Sequence, residues 1–80
     1  MYIIYFSFSG SEKEPIGYAN NYDEVFDFFQ KLKKTLEHKH NNLFDIAQRD
    51  DTYILSGNEH DGYRLTYTAT PIKHINEGGK

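Results

Sequence analysis

The chain contains no cysteine. No disulfide can staple it, and no thiolate can serve as metal ligand or nucleophile. That absence fits a reducing compartment. Nor is there a Gly-x-Ser-x-Gly elbow or a glycine-rich phosphate loop, so the familiar frameworks of hydrolases and nucleotide-binding enzymes are missing. Long apolar runs are lacking too. The longest, Tyr2 to Phe8, is seven residues, too short for a membrane span and with no cationic segment before it. The expected location is cytoplasmic. Basic residues are outnumbered: nine Lys and Arg face twelve Asp and Glu, for a net charge of −3. Phosphate neutralisation dominates nucleic-acid affinity, so this balance lowers the expectation of a nucleic-acid binder.

Ala, Arg and Pro are scarce, whereas Phe, Tyr, Ile, Asn and Lys are abundant. The scarce group uses G/C-rich codons and the abundant group A/T-rich ones. This composition suggests an AT-rich genome, such as a low-GC bacterium or one of its phages or other mobile elements.

Eighty residues hold one hydrophobic core and no second. Domains of this size often lean on disulfides, a metal or a partner subunit. Without cysteine, stability must come from apolar packing, helped by self-association. Six Phe and seven Tyr supply much of the material, each buried aromatic contributing roughly 1.5–3 kcal/mol.

Residues Tyr2 to Phe8 are β-branched and aromatic and read as a strand, with Ile4, Phe6 and Phe8 toward the core. Ser9 to Pro15 is turn material, and Ile16 to Ala19 reads as a short second strand. Pro15, lacking an N–H, belongs at an edge or strand start. The spacing of Val25, Phe28, Phe29, Leu32 and Leu36 predicts a helix over 22–40. Asn21 and Glu24 have capping-box spacing, and Asn41 can stop the helix in the left-handed region. Three strands are expected to follow: Leu43 to Gln48, Thr52 to Ser56, and Tyr63 to Thr70. The last alternates Tyr63, Leu65, Tyr67 and Ala69 against Arg64, Thr66, Thr68 and Thr70, as in a sheet with one wet face. Pro71 ends it, and 72–80 reads as a polar, flexible C-terminal tail.

The predicted fold is α+β: residues 1–71 form a single domain in β-β-α-β-β-β order, an antiparallel four- to five-stranded sheet with one helix on one face. Because one helix covers one face only, the reverse must meet water or a partner.

The four histidines match no metal-ligand spacing. His38 and His40 point in different directions on a helix, His60 falls in a loop and His74 in the tail. They read as solvated, and no metal or cofactor is expected. Oxygen donors in Asp50-Asp51 and in Asn58 to Gly62 lack calcium-loop alternation. The Glu59-His60-Asp61 loop is the one place a small ligand or metal could sit. Pairs such as Ser56 with His60 have no third orienting group, so a non-enzymatic protein is expected.

Two surfaces remain. Lys31, Lys34 and His38 form a basic helix stripe, ordinarily just a solvated side and alternatively a nucleic-acid contact. The stronger candidate is the open sheet face. With the even side of the first strand in the core, Ile3, Tyr5, Ile54, Thr66 and Thr68 face outward together with Leu43. Apolar surface of that kind marks interfaces, and Tyr is well suited to them. The expected function is binding of another protein, or homodimerisation through the open face or an edge strand.

Overall fold

The computed structural model describes residues 1–59 and 62–72. Five strands and one helix follow in the order β1 (Tyr2–Phe8), β2 (Glu14–Ala19), α1 (Tyr22–His40), β3 (Phe44–Arg49), β4 (Thr52–Asn58) and β5 (Arg64–Pro71). All neighbours pair antiparallel in a single sheet of order β2-β1-β5-β4-β3. The fold is α+β, as the pattern of elements predicts.

The topology explains the length of the helix. β2 ends at one edge of the sheet and β3 begins at the other, so the connection must cross the full width. Four interstrand gaps span roughly 19 Å, and 19 helical residues reach about 28 Å. A helix of this length crosses obliquely and delivers the chain to the far edge. β3, β4 and β5 then form a meander that brings β5 back beside β1.

Local chemistry sets both helix ends. The Glu24 N–H donates to Asn21 Oδ1 at 3.0 Å, and Glu24 Oε1 accepts from the Asn20 N–H at 2.8 Å. The reciprocal bond thus reaches one residue further back than in the usual capping box. At the other end Asn41 adopts φ 55°, ψ 39°, and its N–H donates to the Glu37 carbonyl. Asn tolerates this left-handed geometry and so terminates the helix.

Ladder register fixes which side chains share a face. Ile4 lies opposite Ala69, and Phe6 opposite Tyr67. Leu55 lies opposite both Tyr67 and Ile46, and Gly57 opposite Phe44. These positions form the helix side. There Ile4, Ala19, Val25, Phe29, Leu36, Phe44, Leu55, Leu65 and Ala69 make one buried cluster, with Tyr2, Phe6, Leu32, Ile46, Tyr53 and Tyr67 packed against it. Among the described residues no helix is long and apolar enough to cross a membrane.

Several boundaries differ from expectation. β2 begins at Glu14, and Pro15 lies within it opposite Tyr5. An edge strand permits this, since one side of its backbone needs no partner. β4 extends through Gly57 and Asn58 instead of ending at Ser56. The cause is Phe44, whose ring lies over the bare Cα of Gly57; a Cβ there would stand 2.6 Å from ring carbons. Phe28 shares the predicted apolar stripe yet stays 37% exposed, because it lies on the β2 flank of the helix, lining a groove with Ile4, Ile16 and Ala19. Pro71 closes β5 opposite Tyr2, and the Ile72 N–H still donates to the Met1 carbonyl. The proposed tail falls, from Lys73 onward, outside the described residues.

Candidate functional site

The face opposite the helix is built by the odd residues of β1 and their partners. Tyr5 lies opposite Thr68, Thr68 opposite Ile54, and Ile54 opposite Ala47. A parallel row runs Ser7, Thr66, Ser56 and Asp45. Ile3 pairs with Tyr18 on one side and Thr70 on the other. All five residues singled out from the sequence, Ile3, Tyr5, Ile54, Thr66 and Thr68, therefore share this face. Among the described residues no helix lies on it.

Their exposures are uneven, and one differs from expectation. Ile3, Tyr5, Ile54 and Thr66 are half-buried, but Thr68 is only 5% exposed. Its position explains this: it sits on the third of five strands, with Tyr5 directly opposite on one side and Ile54 on the other. Directly opposed side chains lie within about 5.5 Å at Cβ, so two large ones shield a small one between them. Thr68 is thus a spacer beneath the surface, and a partner would meet Tyr5 and Ile54. Leu43 stands just ahead of β3 and is 84% exposed.

A polar groove of about 200 Å³ opens at one end of this face, lined by Asn42, Leu43, Asp45, Ser56, Asn58 and Arg64. The Arg64 guanidinium donates to Asn58 Oδ1 at 3.2 Å and to Ser56 Oγ at 3.0 Å. The Asn42 amide donates to the Asn58 carbonyl at 3.1 Å. These bonds hold Arg64 flat along the strands, which makes it a fixed cation on the open face. Sequence alternation places Arg64 outward but does not reveal its grip on Ser56 and Asn58, which depends on β4 reaching Asn58.

The basic stripe on the helix is exposed at Lys31, Lys34 and His38. Lys31 is engaged at 3.0 Å by Asp27, one helical turn before it. On another flank Lys33 reaches Glu37 at 3.0 Å. Glu37 also accepts the Phe44 N–H at 2.8 Å. These contacts lower the Glu37 pKa below its ordinary 4.5, the Phe44 bond first and Lys33 second. Burial raises the phenol pKa of Tyr67, and for Tyr53 burial acts with the nearby Tyr2, Tyr22 and Asp51.

In the loop after β4, Glu59 donates its N–H to the Tyr63 carbonyl and accepts from the Gly62 N–H. His60, Asp61 and His74, and with them the Glu59-His60-Asp61 ligand loop considered from the sequence, lie outside the described residues. Among the described residues no three His, Asp or Glu side chains gather in a way that could hold a metal ion. The candidate site that the described residues assemble is a surface of side chains spread over four strands. No protein-family model matches the chain, and no curated protein or solved structure resembles it at a significant level.

Proposed function

We propose that this chain is a small, non-enzymatic protein-binding domain of the cytoplasm. It engages another protein, or a second copy of itself, through sheet surface that α1 leaves uncovered. The observation that carries this reading is the strip Tyr5, Thr68, Ile54 and Ala47, which crosses four strands on the face away from the helix. Its centre already excludes water, since Thr68 is only 5% exposed. The strip is bordered on one side by the polar row Ser7, Thr66 and Ser56 and by the fixed Arg64, as the apolar middle of an interface is bordered by polar groups. An accessory role in a phage or other mobile element is in keeping with the AT-rich codon usage that the composition implies.

The nucleic-acid alternative has less support. Lys31 is already partnered by Asp27, and the chain carries a net charge of −3. A gel-shift series addresses it, since phosphate-driven binding weakens as salt rises.

Paired affinity capture tests the leading reading. The wild-type domain and the variant Tyr5→Arg/Ile54→Arg are immobilised side by side. Both sites face outward, so the variant is expected to fold. A partner retained by the wild type and lost from the variant supports the proposal. Identical binding profiles for the two would refute it.

A further inference from the structure

The two edges of the sheet differ in kind. β2 is blunted: Pro15 removes a donor, and a bulge interrupts its register between Ile4 and Tyr5. Natural sheets use both devices to prevent pairing. β3 has neither. It pairs without interruption from Phe44 to Arg49 on its inner side and, among the described residues, has no strand on its outer side.

We infer that the β3 edge joins the same edge of a second copy, antiparallel about a two-fold axis at Ala47, with Asp45 of each chain against Arg49 of the other. This goes beyond the proposed binding role and rests on a different surface, the edge instead of the face.

Backbone direction is the first argument. Asp50 and Asp51 form a two-residue turn that Arg49 and Thr52 flank, so Arg49, Ala47 and Asp45 point their backbone groups inward to β4. Phe44, Ile46 and Gln48 must then point theirs outward. The Phe44 N–H does so, because Glu37 reaches it from the helix. That carboxylate covers the start of the edge and leaves the Ile46 and Gln48 groups as the open template. Across a two-fold axis at Ala47, Ile46 meets the second copy's Gln48 and Gln48 meets its Ile46. Both are outward-pointing pairs, and all their donors and acceptors match.

Charge selects this register from its neighbours. Asp45, Ala47 and Arg49 alternate on one face. The ion pairs formed among the described residues, Lys31 with Asp27 and Lys33 with Glu37, both lie on the helix. Asp45 and Arg49 are therefore without an ion-pair partner in the described part of their own chain. An axis at Ala47 creates two Asp–Arg pairs on closely spaced, non-hydrogen-bonded positions. An axis at Asp45 would oppose two aspartates, and one at Arg49 two arginines. An axis at Gln48 would set Asp45 against Asp51. The product is a continuous ten-stranded sheet, the sum of two sheets of five.

The test is a charge exchange followed by sedimentation velocity. The wild type is expected to dimerise with rising concentration. Asp45→Arg gives a chain with two arginines and Arg49→Asp one with two aspartates. Each alone places like charges opposite one another twice, and each is expected to self-associate about tenfold more weakly or worse. Mixed in equal amounts, the two variants are expected to form a heterodimer that neither forms with itself. Both substitutions are at exposed positions, and circular dichroism checks that each chain is folded. A monomeric wild type up to millimolar concentration would overturn the inference. So would dimers that survive both single substitutions unchanged. Failure here leaves the Tyr5 and Ile54 capture result standing, because neither residue is altered.

Discussion

Gly57→Ala isolates the contact on which the β3–β4 half of the core depends. A methyl group at this position would lie 2.6 Å from Cγ and Cδ2 of Phe44 and 2.9 Å from Cδ1, against an ordinary contact of 3.4–4 Å. The ring has nowhere to go: Phe44 is 1% exposed, near His40 on the helix, with ring centroids 6.2 Å apart. If the strands shift to make room, the cost is that of overpacking, about 1–3 kcal/mol. If the ring is expelled, the cost approaches that of losing a buried Phe, about 3–5 kcal/mol. A domain of this length has a total stability of roughly 4–12 kcal/mol, so either outcome removes a large share. Urea denaturation followed by circular dichroism measures it, and the midpoint should fall with little change in slope. Phe44→Leu provides the second arm of a double-mutant cycle. Combined with Gly57→Ala it should cost about 1 kcal/mol less than the sum of the two singles, because the clashing ring is gone. A Gly57→Ala effect below about 0.5 kcal/mol, the scatter of ordinary surface changes, would refute the reasoning. Strict additivity in the cycle would refute it too.

Other consequences follow from the helix ends and the titrating groups. Asn21→Ala removes the acceptor of the Glu24 N–H and should cost about 1 kcal/mol, read from the same urea curves. Glu37 is held below its ordinary pKa of 4.5 by the Phe44 N–H and Lys33. Its contribution is therefore full above that value and lost as pH falls through the folded one. Glu37→Gln should flatten the acid limb of a Tm–pH profile, and an unchanged limb would argue against the Phe44 bond. Burial raises the Tyr67 pKa, so its contribution is present below the ordinary phenol pKa of 10.0 and lost at more alkaline pH. Tyr67→Phe should shift alkaline unfolding to higher pH in a spectrophotometric titration.

The parts of the fold legible from sequence are those governed by local periodicity. The helix over 22–40 was readable because its apolar stripe, its Asn21 cap and its Asn41 stop all agree. The two faces of β1 and β5 were readable because alternation has a period of two. What escaped depends on contacts distant in sequence. Gly57 looks like a loop residue until Phe44 is seen above it. Thr68 looks solvent-facing until Tyr5 and Ile54 are placed on either side. Phe28 fits the helical stripe, yet the oblique crossing leaves it on the β2 flank with Ile16. The candidate face follows the same division. Its membership follows from alternation, whereas the grip of Arg64 on Ser56 and Asn58 and the free edge of β3 follow from strand order, which no local pattern encodes.

Sedimentation velocity of the unmodified chain, run from micromolar to millimolar concentration, probes the association of uncovered sheet surface most directly. The account predicts a mass that rises from the 9.4 kDa monomer toward twice that value, and a return toward monomer on the Asp45→Arg substitution. A single 9.4 kDa species at every concentration would contradict the pairing of β3 edges and leave only a different protein as the occupant of the open face.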